Sequence, residues 1–411
     1  MTTTPLSTPT IQPKHDPVRL AHQLRDQLAS ARRRTALFLG AGTSISAGIP
    51  GLDDLTRLVD AKLPTPSQTF FRDICASLGT NANLELVLNH LRIVQELLAG
   101  RVGNHNGLDY GNAQQLDSAI CRIIYEKVAA PTLGKLHAHM SLATWLRYIR
   151  RDSPVEVFTT NYDLLLEIAF ETASVPFFDG FVGSVSPFFV PECIDADAGS
   201  NTSDVYPPRS WIRLWKLHGS VNWQLVPGIA GEPGRICRVT GKHTPASDAQ
   251  LLIYPSRNKY AQSRRLPFVA YMDRLRRFLQ FGEGLLLIAG YSFRDEHINE
   301  VLAQGLRSNP RLAVTAVLHD EPTLYVLTLA ELHKNLSILS PNEASVGGVH
   351  GGWITPPKKL PDEQRPFWND ASSAFVLGDF TKLAEFLNIM TGYADTSALP
   401  TAVTGSGAVS P

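Results

Sequence analysis

Apolar residues occur along this chain in short, nearly continuous runs, separated by stretches with the spacing of amphipathic helices. The runs are TALFLG near residue 35, VEVFTT at 155, IRLWKLHG at 212, QLLIYPS at 250, GLLLIAGYS at 284 and RLAVTAVL at 311. Such runs are typical of parallel strands that are buried on both faces. The intervening stretches, such as FVAYMDRLRRFLQF and DEHINEVLAQGLRS, have the pattern of helices that cover a sheet. The alternation predicts an α/β fold with a Rossmann-like, doubly wound parallel sheet.

The spacing of these runs also predicts how the chain is divided. Residues 64–150 are too many for one crossover and carry two helical patterns, so we expect an inserted helical subdomain. Stretches near 178–210 and 226–249 are rich in Pro, Gly, Ser and Asp and are predicted to be loops. We therefore expect a partly disordered N-terminal segment (1–30) and the sheet domain with its insertion (31–334). A loop-rich C-terminal segment (335–411) would follow, with one last helix and a disordered tail.

Composition narrows the function classes. The 38 basic and 38 acidic residues balance, which argues against a global field that attracts nucleic acid or an anionic membrane. No apolar run reaches the roughly 18 residues of a membrane span, and the N-terminus lacks the pattern of a secretory signal, so a cytoplasmic location is expected. The four cysteines are isolated, with no Cys-x-x-Cys pair. Because a zinc ribbon usually takes two such pairs, we expect no metal site and reduced thiols.

Unusual residues follow the predicted strands, at the edge where ligands bind in open parallel sheets. The first strand ends in Gly40-Ala41-Gly42-Thr43-Ser44, which either approaches a pyrophosphate closely or forms a structural turn. It is neither a Walker loop nor a complete Gly-x-Gly-x-x-Gly motif.

Three further strand ends carry candidate chemistry, and each has an alternative structural explanation. Asn161 and Asp163 follow the second strand and suit either ligand binding or helix capping. His218 follows the third strand and is either a general base or a packed side chain. Gly290 and Ser292 follow the fifth strand at another tight turn. Four such ends on one sheet favour a shared site. Arg257 and Lys259, after the fourth strand, face either phosphate or solvent.

In combination, the motifs GAGTSISAGIP, TTNYD, KLHGS and AGYSFRDEHIN resemble those of the sirtuin superfamily, and more closely its bacterial antiphage defence branch. The resemblance runs from about residue 35 to 318. It implies a Rossmann-like NAD-binding domain in which NAD is consumed as a substrate.

The resemblance also implies residue roles. The NAD pyrophosphate would be held by Gly40, Ala41, Gly42, Thr43 and Ser44, and a flexible cofactor loop would start at Gly48, Ile49 and Pro50. Asn161 would position the nicotinamide ribose and a water, with Thr160 and Asp163 beside it. His218 would act as base, and Gly290 and Ser292 would form the adenosine-side turn.

Departures from the family pattern argue against protein deacetylation. Gly51-Leu52-Asp53-Asp54 follows Pro50 in place of the usual Phe-Arg pair, Thr160 replaces the usual glutamine, and the zinc ribbon cysteines are missing. The departures fit NADases of antiviral defence, which cleave NAD+ to nicotinamide and ADP-ribose. By the same resemblance we expect a homo-oligomer, with residues 335–411 as an assembly element. It would work with a separate HerA-type ATPase and meet nucleic acid only indirectly. The alternatives are a non-catalytic subunit that binds NAD or ADP-ribose, and a protein deacylase or ADP-ribosyltransferase.

Overall fold

A ten-stranded sheet organises the computed structural model, which describes residues 14–80, 82–128, 135–195, 207–226, 234–239, 251–253, 267–356 and 365–390. The strands, numbered in chain order, are β1 (Lys14–His15), β2 (Arg34–Leu39), β3 (Asn104–His105), β4 (Leu108–Asp109), β5 (Glu156–Thr159), β6 (Phe177–Phe178), β7 (Phe181–Val182), β8 (Phe188–Phe189), β9 (Ile212–Lys216), β10 (Gly219–Val226), β11 (Arg235–Arg238), β12 (Leu251–Ile253), β13 (Gly284–Ala289), β14 (Leu312–Val317), β15 (Leu336–Leu339), β16 (Glu343–Val346), β17 (Val349–Trp353), β18 (Trp368–Asn369) and β19 (Ala374–Phe375).

The strand order of the main sheet is β1-β17-β16-β15-β14-β13-β2-β5-β9-β6, and the seven strands from β15 to β6 run parallel. From β2 the chain builds towards β5 and β9, and it later returns to build β13, β14 and β15 on the other side of β2. The strand order therefore reverses between β2 and β13. In doubly wound sheets this switch point opens the crevice in which ligands bind.

Helices cover both faces of this sheet. They are α1 (Pro17–Ala29), α2 (Gly42–Ile45), α3 (Leu52–Lys62), α4 (Ser67–Leu78), α5 (Leu84–Leu98), α6 (Tyr110–Val128), α7 (His137–Tyr148), α8 (Leu165–Thr172), α9 (Glu192–Asp195), α10 (Pro267–Gln280), α11 (Glu296–Ser308), α12 (Leu324–Leu332) and α13 (Phe380–Ile389).

Alternate residues of β2 enter two separate cores, as the two-residue period of a strand requires. Leu37 and Leu39 pack in one core with α1, the helices between β2 and β5, and α13. Ala36 and Phe38 pack in the other with α10, α11 and α12. The predicted doubly wound parallel sheet is thus confirmed. The stretch between β2 and β5 contains α2 to α7 and the short strands β3 and β4.

The run at residues 250–256 was expected to be a strand of the parallel sheet, and that prediction was wrong. Its strand β12 belongs to a separate five-stranded sheet with the order β12-β10-β11-β8-β7, in which the described pairings are antiparallel. The cause lies at Gly219, whose φ of 88° turns the chain out of β9 and into β10, with which β12 pairs. Arg257 and Lys259 lie outside the described residues.

Three stretches expected to be loops contain regular structure. In the C-terminal segment, β15, β16 and β17 extend the main sheet directly after residue 335, and Gly347 and Gly348, with φ of 63° and 80°, form the tight turn between the last two. A glycine-rich sequence here marks a hairpin. The described parts of 178–210 and 226–249 likewise contain β6, β7, β8, α9 and β11. None of the described helices has the length and apolar character needed to cross a membrane.

Candidate functional site

The carboxyl ends of β2, β5, β9 and β13 lie side by side, so the four motifs that follow them share one edge of the sheet. In register, Leu39 is paired with Thr159 on one side and with Ala289 on the other, and Thr159 is paired with Lys216. Each motif begins directly after these residues. The parallel register therefore brings together segments that are up to 250 residues apart in the chain.

The loop after β2 packs backbone against backbone on the turn after β13. The amides of Gly40 and Gly42 donate to the carbonyls of Ala289 (3.0 Å) and Gly290 (2.9 Å). A Cβ on Gly42 would lie 2.7 Å from Gly290 Cα, and a Cβ on Gly290 would lie 2.5 Å from Thr43 N. Glycine is needed here for this close approach. The amides of Thr43 and Ser44 donate within the loop, to Gly40 and Ala41, while Ala41 itself is exposed at the surface of the turn.

Asn161 joins the end of β5 to this loop. Its Nδ2 donates to the Gly40 carbonyl (3.0 Å), Thr43 Oγ1 (3.1 Å) and Ser44 Oγ (2.8 Å). The side chain is buried, and among the described residues its Oδ1 receives no hydrogen bond. Asn161 is therefore not a helix cap: its amide fixes the loop and presents a carbonyl oxygen that can accept from a ligand hydroxyl or a water.

Asp163 completes the same network. Its Oδ2 accepts from Ser44 Oγ (2.7 Å), and its Oδ1 accepts from the Leu165 amide (3.0 Å) at the start of α8. Lys216 Nζ donates to the Asp163 carbonyl and forms a 2.7 Å ion pair with Glu167. Asp163 is thus a cap for α8, one of the two alternatives that the sequence left open, and it also bonds the loop.

His218 follows β9 and is 6% exposed. Its Nε2 lies 3.0 Å from Asp295 Oδ2, and its Nδ1 lies 3.8 Å from Glu85 Oε1. Burial by itself lowers the pKa of His218, but the hydrogen bond to Asp295 and the charges of both carboxylates outweigh it and raise the pKa. Burial in turn raises the pKa of Glu85.

The remaining predicted residues lie at the rim of the same edge. Ile49 is buried and its amide donates to the Ser44 carbonyl (3.2 Å), and Pro50 is half-buried next to it. The Thr160 amide donates to the Leu39 carbonyl (3.3 Å), which joins β5 to β2 beyond the strands. Ser292 is exposed after Gly290. The structure thus places every predicted site residue at this edge.

Two residues of the cluster escaped the sequence reasoning. Asp295 lies inside the motif AGYSFRDEHIN, and its position before α11 was a signal for a helix cap but not for a histidine partner. Glu85 lies in the first turn of α5, in the helical insertion, where an acidic residue is common and no pattern marks it.

Residues 155–338 match a family model described as a SIR2-like domain. The matched span includes Asn161, His218 and Gly290, and it begins after the Gly40–Pro50 loop.

Solved structures of sirtuins are also similar to the chain. One is described as "The Structural basis of Sirtuin Substrate Affinity", with 16% identity, a TM-score of 0.34 and coverage of 72% of this chain and 86% of that chain. Two others are described as "Structure of Sir2Tm bound to a propionylated peptide" and "Sir2 bound to acetylated peptide", each with 15% identity, a TM-score of 0.33 and coverage of 73% of this chain and 87% of that chain. No curated protein matches the chain significantly.

Within the part of the chain that the structure describes, metal ligands do not mark the site. Within the described ranges, no group of three or more His, Cys, Asp or Glu side chains is arranged to hold a metal ion. All four cysteines are free thiols. A cavity of about 1020 Å³ lies against the C-terminal segment, and Leu318, Arg365, Trp368 and Lys382 are among the residues that line it. It includes none of the residues above. This edge of the sheet is distinguished by its chemistry: a buried asparagine and histidine lie with buried and half-buried carboxylates at the switch point. Such clusters of titratable groups are typical of functional sites.

Proposed function

We propose that this chain is an NAD+ glycohydrolase that cleaves NAD+ to nicotinamide and ADP-ribose at the carboxyl edge of β2, β5, β9 and β13. The observation that carries the proposal is the pairing of a buried Asn161, bonded to the Gly40–Ser44 loop, with a buried His218 between two carboxylates. A SIR2-like domain points to NAD-dependent chemistry, and the loop lies at the switch point where dinucleotides bind. In this arrangement the pyrophosphate lies over the exposed Ala41, and Gly290 and Ser292 face the adenosine.

The chemistry of this cleavage suits these residues. When the C1′–N bond of NAD+ breaks, its electron pair neutralises the pyridinium nitrogen, so nicotinamide leaves without a general acid. The ribose passes through an oxocarbenium-like state, so the site has to position the ring and a water rather than supply a strong nucleophile. A water, positioned by the Asn161 carbonyl oxygen, then bonds to C1′ and passes its proton to neutral His218.

The test is nicotinamide release from NAD+ by the purified full chain, followed by chromatography. We expect Asn161→Ala and His218→Ala to lower the rate by about 10²–10⁴-fold, the usual contribution of a positioned base. His297→Ala is the matched control, because His297 is an exposed histidine in the first turn of α11, and we expect it to retain full activity.

Other products would identify the alternative functions. NAD+ binding without release under any condition would contradict the hydrolase and indicate a non-catalytic subunit. Release that requires an acetylated peptide, or labelling of protein by ADP-ribose, would indicate a deacylase or an ADP-ribosyltransferase.

We further propose that the enzyme acts in the cytoplasm as an antiviral effector that depletes NAD+, held in check by oligomerisation and by a HerA-type ATPase. The support is chemical: unrestrained NAD+ hydrolysis would be lethal to the host, so control by a partner is expected, and the motifs resemble those of the defence branch. Nicotinamide release should therefore change when the ATPase and DNA are added, and native mass spectrometry of the chain alone should show a homo-oligomer. A monomer whose rate is indifferent to both additions would contradict this regulation.

A further inference from the structure

The two carboxylate oxygens of Asp295 contact different partners. Oδ1 caps α11 by accepting from the amides of His297 (2.9 Å) and Ile298 (3.2 Å). Oδ2 lies 3.0 Å from Nε2 of His218. One side chain therefore connects the end of β9 to the start of α11. Because the cap fixes the carboxylate plane, Oδ2 has little freedom to leave the imidazole.

The opposite nitrogen of His218 faces a second carboxylate. Glu85 Oε1, on α5, is 3.8 Å from Nδ1, which is beyond hydrogen-bond distance but close enough for electrostatic attraction. Tyr162 and Tyr291 surround these carboxylates, and burial raises the pKa of both phenols, so they stay neutral. On β9 itself, Lys216 is paired with Glu167. Among the groups that the structure describes, the charges that act on His218 are those of Asp295 and Glu85.

We infer that Asp295 is a positioning residue for His218. Asp295 holds the ring proton of His218 on Nε2, and Nδ1, on the side of Glu85, is therefore the basic nitrogen. The carboxylate can only accept a hydrogen bond, so the neutral imidazole must donate to it from Nε2. The effect of this positioning on catalysis rests on the proposed NAD+ hydrolysis, whereas the assignment of the proton to Nε2 does not.

The decisive substitution is Asp295→Asn. Asparagine caps helices as well as aspartate, so the fold should be kept. Its one carbonyl oxygen is then used by the α11 cap, and its NH₂ group faces Nε2, which must become an acceptor. The ring proton moves to Nδ1. We expect nicotinamide release to fall by about 10²–10⁴-fold, as expected when a catalytic histidine is held in the wrong tautomer, while NAD+ affinity and the melting temperature stay unchanged.

Glu85→Gln is the matched control, because it also removes one carboxylate charge near His218 but keeps the Asp295 bond. Since Glu85 raises the pKa of His218, its loss lowers that pKa. The rise of activity with pH should therefore move to lower pH, and the rate on the plateau at high pH should be unchanged.

Asp295→Ser is a second test, because serine is also a good cap but its side chain is too short to reach the imidazole. We expect it to lower the plateau rate as Asp295→Asn does. Full activity in a folded Asp295→Asn protein would overturn the inference.

A nitrogen-15 NMR measurement of the His218 ring in the full chain tests the proton without relying on hydrolysis. The resonance is assigned by its loss in His218→Gln. We expect the neutral wild-type ring to carry its proton on Nε2, and the ring of Asp295→Asn to carry it on Nδ1. A wild-type proton on Nδ1 would overturn the inference. A wild-type chain that binds NAD+ but does not cleave it, with the proton on Nε2, would refute the hydrolase and retain the role of Asp295.

Discussion

Gly290 shows how a single residue fixes the geometry of the site. It adopts a φ of 63°, and a Cβ there would lie 2.5 Å from Thr43 N and 2.9 Å from Gly42 C. We expect Gly290→Ala to lower the free energy of unfolding by about 1–3 kcal/mol through backbone strain, and by about 1–3 kcal/mol more through overpacking. Because the displaced backbone is the loop that Asn161 holds, NAD+ binding should also weaken. Urea unfolding and calorimetric titration with NAD+ measure the two effects.

The chain offers a matched control for this prediction. Gly347 has the same φ of 63°, but nothing lies within 4 Å of the Cβ that a side chain would add there. Gly347→Ala should therefore show the strain alone and leave NAD+ binding unchanged. Equal losses of stability in the two variants would mean that close packing between the β2 loop and Gly290 does not matter.

At the scale of elements, the helical insertion supplies Glu85 to the site, and a buried ion pair holds its helices together. Arg92 on α5 bonds Asp117 on α6 at 3.2 Å, and both side chains are buried. We expect Asp117→Asn to lower the free energy of unfolding by about 3–5 kcal/mol, because it leaves a buried guanidinium without the carboxylate that stabilises its charge. Urea unfolding, followed by circular dichroism, measures this loss.

The exposed pair Arg122–Glu126 on the same helix α6 serves as the comparison. Its N–O distance is 3.9 Å and both side chains are more than half exposed, so Glu126→Gln should change stability by less than about 1 kcal/mol. If Asp117→Asn were equally mild, the charge of Asp117 would contribute little to the α5–α6 contact.

The sequence predicted elements whose signals are local. The strands near 35, 155, 212, 284 and 311 are continuous apolar runs, and the parallel arrangement then brings the residues after them to one edge. By contrast, β12 lies in the second sheet because the chain turns at Gly219 into β10, with which β12 pairs. The pattern of apolar residues does not predict that turn. Glu85 approaches His218 only because α5 folds over the edge of the sheet, and a helix pattern does not specify that direction.

At the scale of the whole molecule, the C-terminal segment is joined to the helical insertion. His139 on α7 packs edge-on against Phe380 on α13, with ring centroids 5.0 Å apart, in the core beneath β2 and β5. Burial lowers the pKa of His139 to about 4, and the charge of Asp163 offsets this only in part. The folded protein therefore keeps His139 neutral in a pH range where the unfolded chain protonates it.

This difference couples the pH to the stability of the whole fold. Below a pH of about 6.5 the unfolded chain binds a proton at His139 that the folded chain does not, so stability should fall from there towards a pH of about 4, by at most about 1.4 kcal/mol per pH unit. His218, whose pKa is raised, acts in the opposite sense: its stabilising contribution is complete below its unfolded pKa and is lost as the pH rises through its folded pKa.

His139→Leu, a substitution of similar size, should flatten the acid side of the plot of stability against pH, measured by urea unfolding at pH 7, 6 and 5. His22→Leu, at an exposed position of α1, should keep the wild-type slope. A His139→Leu protein with an unchanged slope would show that other groups cause the acid instability.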